Sequence, residues 1–248
     1  MAGRGYRTEA VVLRSLRLGE ADRVLHLYTR DRGRIGAVAK GIRRTKSRFG
    51  ARLEPLSHVE VFLHVGSGEL QTVTGVELVH SHHDVREDPY RLGVGLVGLE
   101  AMLRLFSEQE ANERAFAALT RFLDVADALP SRAPARSALD PLVLAFQLKL
   151  LWLSGYKPHL ESCAECGADE VPLVAFGPQA GGGLCAGCSG GAVSISPGGF
   201  RALDGLLRTP LAEAGELPLG ERDARETLRV ITLLYEYHGG FRLRTLSA

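Results

Sequence analysis

Hydrophobic and polar residues change their rhythm once along this chain, near His80. Before that point the period is two. Glu9 to Leu16 is a β-rich run with Val11, Val12 and Leu13 together. From Arg23 to Thr29, Leu25 and Leu27 fall on one face while Val24, His26 and Tyr28 fall on the other. Arg32-Gly33 makes a turn, and Arg34 to Lys40 forms the return strand. Val59 to Val65 alternates again, Gly66-Ser67-Gly68 turns the chain, and Leu70 to Leu78 follows. The pattern predicts five strands, three before a long polar loop and two after it. Five short strands in about eighty residues suit a small barrel, because closure removes exposed edges.

After His80 the period becomes helical. Asp88-Pro89 supplies an N-cap and a proline at the first helical position, and Leu92, Leu96, Leu99, Leu103 and Phe106 recur behind it. Phe116, Leu119, Leu123 and Ala126 repeat the spacing. Asp140-Pro141 opens a third helix through Leu144, Leu148 and Leu151 to Gly155. Ser196-Pro197 opens a fourth, with Phe200, Leu203 and Leu207, stopped by Pro210. A last helix carries Ala224, Leu228, Ile231, Tyr235 and His238 up to Gly239-Gly240. The expected architecture is therefore multi-domain α+β. A five-stranded OB-fold-like barrel over residues 1–80 precedes a helical domain over 81–248, which carries a Gly/Cys-rich insertion at 160–192.

That insertion holds all four cysteines. Cys163-x-x-Cys166 is separated by eighteen residues from Cys185-x-x-Cys188. Each pair can bend around one ion, and the segment between can return the second pair to complete a tetrahedron. Four thiolates leave no open coordination position, so the site is expected to be structural, with one zinc ion per chain. An iron–sulfur cluster is the other ion chemistry four thiolates support; the knuckle spacing favours zinc.

Composition changes this picture little, but the distribution of charge changes it more. The net charge is +1, yet residues 1–60 carry fourteen Lys/Arg against six Asp/Glu, and the remainder sixteen against twenty-three. Within Lys40–Arg52, Lys40, Arg43, Arg44, Lys46, Arg48 and Arg52 occur with no acid among them. Arg30, Arg32 and Arg34 precede this run, and Arg14, Arg17 and Arg23 lie in the strands before it. Cations grouped on a small barrel are the expected footprint of a phosphate-contacting surface. Thr45 and Ser47 could add neutral phosphate contacts, and Phe49 or Tyr28 a stacking surface for an unpaired base. The candidate DNA-contacting set is Arg14, Arg30, Arg32, Arg34, Lys40, Arg43, Arg44, Lys46, Arg48 and Arg52.

Other motifs point nowhere so definite. Gly93-Val-Gly95-Leu-Val-Gly98 matches a dinucleotide fingerprint by letters but lies inside a helical period, without the preceding strand that gives the motif its mechanism. It reads as small residues at a close helix contact. His80, His82, His83 and Asp84 read as a polar connection rather than a metal site. No nucleophile elbow, phosphate loop or zinc-protease motif occurs, so no catalytic residue is named and no enzyme is expected. Met1-Ala2-Gly3-Arg4 leads into charged alternation with no apolar stretch, and no segment reads as a membrane span. The expectation is a cytoplasmic, nucleoid-associated protein with reduced cysteines.

Several stretches taken together resemble the RecO family of recombination mediators. They are Gly19-Glu-Ala-Asp-Arg-Val-Leu25, Gly33-Arg-Ile-Gly-Ala-Val-Ala-Lys-Gly-Ile-Arg43 and Lys46-Ser-Arg48, followed by Phe146-Gln-Leu-Lys-Leu-Leu151, Gly155-Tyr-Lys-Pro158, Cys163-Ala-Glu-Cys-Gly167 and Gly182-Gly-Leu-Cys-Ala-Gly-Cys188. The resemblance is weakest over residues 80–140 and after 210. It implies an N-terminal OB-fold and a helical domain, with a four-cysteine zinc site in many members. It also implies binding to single- and double-stranded DNA, annealing of complementary strands, and, with RecR, loading of recombinase onto strands coated by single-strand-binding protein. The competing reading is a zinc-ribbon DNA-binding regulator of transcription. That reading wants a polar, basic helix beside the cysteines to read base edges, whereas the segment from Val171 up to the second pair is uncharged.

Overall fold

A computed structural model of the chain describes residues 4–246. Met1–Gly3, where the lack of a leader is read, and Ser247–Ala248 lie outside the described residues. Five strands come first: β1 (Arg4–Leu18), β2 (Asp22–Thr29), β3 (Gly33–Ala39), β4 (His58–Val65) and β5 (Gln71–His80). Their hydrogen-bonded order, β1-β2-β3-β5-β4 with β4 returning to β1, closes the sheet into a barrel. The closing contact between β3 and β5 is parallel and short, at Ala37–Gln71 and Val38–Thr72.

β1 is longer than its hydrophobic run because it serves two neighbours. Arg4 to Val11 pairs with β4, Ala10 to Leu18 pairs with β2, and the register shifts between Val12 and Arg14. Alternation gives the strand two buried faces before that shift. Ala10 and Val12 point into the barrel with Leu25, Leu27 and Ile35. Val11 and Leu13 point outward with Tyr28 and are buried in the core of the helical region.

The helices are α1 (His83–Glu87), α2 (Pro89–Leu105), α3 (Glu113–Asp127), α4 (Pro141–Leu153), α5 (Pro197–Arg208) and α6 (Glu221–Leu234), the last prolonged by a π turn over Tyr235–Gly239. The caps read from sequence close hydrogen bonds: the Asp88, Asp140 and Ser196 side chains accept from the N–H groups of Arg91, Leu142 and Gly199. Leu142 to Leu148 is buried without a break, so α4 is the central helix of the bundle. Its one polar side chain in that stretch, Gln147, accepts from the Tyr235 hydroxyl.

The glycines of α2 are packing positions. A Cβ at Gly98 would lie 2.4 Å from the Phe122 ring, and one at Gly95 would lie 2.8 Å from Val85. Between α4 and α5, β6 (Leu173–Gly177), β7 (Gly182–Cys185) and β8 (Val193–Ser194) form a small antiparallel sheet in the order β7-β6-β8. The sequence reading has no strands there. Segments of two to five residues rich in Gly are too short for an alternation signal. Among the described residues, no helix is long and apolar enough to cross a membrane.

Candidate metal centre and nucleic-acid interface

The small sheet brings the two cysteine pairs together. Cys185 ends β7, whose partner β6 aligns Leu173 with Cys185. The first pair is drawn in by backbone bonds: Ala164 N–H to Gly183 O at 2.8 Å and Gly167 N–H to Cys163 O at 2.9 Å. Gly167 turns with φ +70°, a conformation that favours glycine. The four Sγ atoms then lie within 4.8 Å of one another, with Cys166 and Cys185 at 3.9 Å. A tetrahedron with zinc–sulfur bonds of about 2.3 Å has edges of roughly 3.8 Å, so the cluster has the size such an ion requires. All four are free thiols. Backbone N–H groups of Cys166 and Cys185 pull the Cys163 thiol down to about 6. The crowd of neighbouring sulfurs, Cys166 and Cys185 first, pushes Cys188 up to about 12. A donor set of this kind sheds its last protons readily only when a cation takes their place.

The basic loop after β3 is fixed from below and charged above. Ile42, Phe49 and Leu53 are buried in the barrel core, so the residues between them are turned to solvent. Two contacts tie the loop to the β1–β2 turn: Arg43 N–H donates to Ala21 O at 2.9 Å, and Gly41 N–H to Asp22 Oδ1 at 2.7 Å. Lys40, Arg43, Arg44, Lys46, Arg48 and Arg52 are exposed. Within the described residues none of the six forms an ion pair with a carboxylate, and neither do exposed Arg14 and Arg17. Three of the six have structural duties as well. Arg43 donates to Glu20 O at 2.8 Å, Arg52 donates to Phe49 O and Val76 O, and Arg48 lies over the Phe49 ring at 4.9 Å. Among the described residues, Lys40, Arg44 and Lys46 carry no such side-chain contact.

The remaining three residues of the candidate set are engaged elsewhere. Arg34 donates to Leu103 O at 2.8 Å and lies 3.5 Å from Glu108, both beyond the barrel. Arg30 bridges Glu9 and Glu113. Arg32 stacks on Tyr6 at 3.9 Å, with Asp31 at 4.0 Å. The stacking expectation is corrected: Phe49 and Tyr28 are 1% and 0% exposed, because both are needed as core side chains. Nothing in strand periodicity separates Arg34 from Lys40. Their difference lies in a segment about seventy residues downstream.

Comparison with known proteins matches both parts of the chain. Residues 1–82 match the family described as Recombination protein O N terminal, and residues 86–247 match Recombination protein O C terminal. The chain is similar to the DNA repair protein RecO of Rubrobacter xylanophilus, with 41% identity over 93% of this chain and 92% of that one. It is similar also to the RecO proteins of Thermobifida fusca (40%, covering 94% and 93%) and of a Nocardioides species (36%, covering 94% of each). With both halves matched in order, and relatives 36–41% identical over nearly the whole of each chain, the chain belongs to the RecO family.

Proposed function

We propose that this protein is a recombination mediator of DNA repair that acts by holding strands, without catalytic turnover. It binds single- and double-stranded DNA through the basic loop of the barrel, anneals complementary strands, and with RecR helps to load recombinase onto strands covered by single-strand-binding protein. The barrel of residues 1–80 is the nucleic-acid-binding domain, and the helical domain of 81–248 carries a structural zinc ion on Cys163, Cys166, Cys185 and Cys188. One observation carries the DNA reading: a run of cations held outward by buried Ile42, Phe49 and Leu53, without carboxylate partners among the described residues. Such a surface offers charge to phosphates and offers no aromatic ring to bases, so affinity should be insensitive to sequence. Arg14, Lys40, Arg43, Arg44, Lys46, Arg48 and Arg52 supply the contact. Arg30, Arg32 and Arg34 contribute mainly through the fold.

A closed four-thiolate site has no position for substrate or water, which supports the non-catalytic reading. The regulator alternative is disfavoured, because the helix after the cysteines, α5, contributes only Arg201 and Arg208, and Arg208 is paired with Asp204 at 2.7 Å. Gel-shift titration of single-stranded and duplex DNA, with and without magnesium, is the test. The expected result is binding to both, faster annealing of complementary strands, and no change in DNA length. Absence of binding, or magnesium-dependent breakdown abolished by a point change in this chain, would overturn the proposal.

A further inference from the structure

The histidines near His80 form a second cluster, and its third member is not a neighbour in sequence. His80 Nδ1 and His82 Nε2 each lie 3.0 Å from the same oxygen, Oδ1 of Asp124 in α3. The two imidazole rings are 4.1 Å apart. His83 and Asp84, which adjoin them in the sequence, take no part: His83 lies toward Glu87 and Asp84 toward Arg91. Sequence neighbours alone read as a polar connection; the fold adds Asp124 to them.

The other ring nitrogens decide what this cluster holds. His82 is wholly buried, and its Nδ1 is 2.7 Å from Leu56 O. A carbonyl only accepts, so Nδ1 carries the proton and Nε2 of a neutral ring presents a lone pair to a carboxylate. His80 Nε2 lies 3.5 Å from Asp127 Oδ2, and Asp127 is itself held by the Val85 N–H at 2.9 Å. Each histidine thus has an acceptor behind it and the shared Asp124 oxygen in front. A neutral His82 ring leaves its Nε2 lone pair facing that oxygen, and the space between calls for positive charge, either a ring proton or a divalent ion. An imidazolium at the fully buried His82 carries a desolvation cost. A metal uses the neutral rings, and a carbonyl or carboxylate behind each ligating histidine is the usual orienting shell.

The geometry points to a divalent transition-metal site formed by His80 Nδ1, His82 Nε2 and Asp124, with solvent completing the coordination. Two imidazoles and a carboxylate suit zinc or cobalt. The ligands come from the end of β5, the connection after it and α3, so the ion would fasten the barrel to the helical region. This site is independent of the cysteine cluster and of the DNA reading.

Full-length, tag-free protein dialysed against excess zinc should hold two zinc ions per chain by elemental analysis. His80→Ala and Asp124→Asn should each hold one. Both side chains are near 44% exposed, so the variants should keep their circular dichroism. Cobalt added to protein whose cysteine site already carries zinc should give visible d–d absorption without thiolate charge transfer, and should raise the melting temperature of the wild type but of neither variant. Equal zinc content in the wild type and both variants, whatever its value, would overturn the inference and leave the cluster as histidines hydrogen-bonded to Asp124.

Discussion

Arg208, Arg222 and Arg225 of the last two helices and the cations of the loop after β3 carry the same charge and differ in availability. On α5 and α6, Arg208, Arg222 and Arg225 each meet a carboxylate one helical turn away: Asp204 at 2.7 Å, Glu226 at 3.0 Å and Glu221 at 2.7 Å. Helical spacing makes such pairing local and easy. The barrel loop has no acid between Asp31 and Glu54, and its apolar anchors keep its cations apart from distant ones. Arg30 and Arg34, only a few residues upstream, behave like the helical arginines because α3 and the segment after α2 bring them Glu113 and Glu108. Counting charge therefore does not locate a binding surface. What locates it is whether the fold supplies partners.

The largest effect bears on neither population and separates both from the metal. Structural zinc contributes on the order of 10 kcal/mol to the folding of small zinc modules. Cys163→Ser should lose the cysteine-bound ion and hydrogen-exchange protection over residues 160–192, while the salt slope of DNA binding stays as in the wild type. A changed slope would tie the loop to the metal and break the comparison. Next comes Lys40→Ala with Arg44→Ala and Lys46→Ala. Each lost contact should flatten the slope of log affinity for single strands against log salt by about 0.7, and three together should weaken binding roughly fifty-fold near 0.15 M salt. Fluorescence anisotropy across a salt series reads both quantities, and an unchanged triple variant would return the DNA site to the helices. Arg34→Ala should cost about 2 kcal/mol in denaturant unfolding, through the lost charged hydrogen bond to Leu103 O, with the slope nearly kept. The smallest change should follow Arg222→Ala with Arg225→Ala: about 0.3–0.5 kcal/mol of stability per pair and DNA affinity within twofold.

The legible parts of this fold are those with local causes. Alternation, a β-rich run or a flanking turn marks each of the five barrel strands, and Asp-Pro or Ser-Pro pairs mark the starts of α2, α4 and α5, since capping needs only a few adjacent residues. The cysteine site is legible because its ligands come in pairs and every cysteine is used. Three kinds of feature are not. Strands β6 to β8 are too short to show a period. Arg34 and Lys40 look alike until Glu108 and Leu103 arrive from elsewhere in the chain. Asp124 occupies an ordinary exposed position on α3, and only the folded chain sets it against histidines more than forty residues away.

The double-faced middle of β1, Ala10 to Leu13, has a mechanical consequence. The basic loop is tied to the β1–β2 turn by Arg43 and Gly41. The same two strands, at their other end, sink Val11, Leu13 and Tyr28 into the helical core. A pull on a strand gripped at the loop would thus run along the β1–β2 ladder and into the bundle. Several backbone hydrogen bonds would bear that load side by side, in shear, and the barrel would resist tension from the DNA as one piece with the helices behind it.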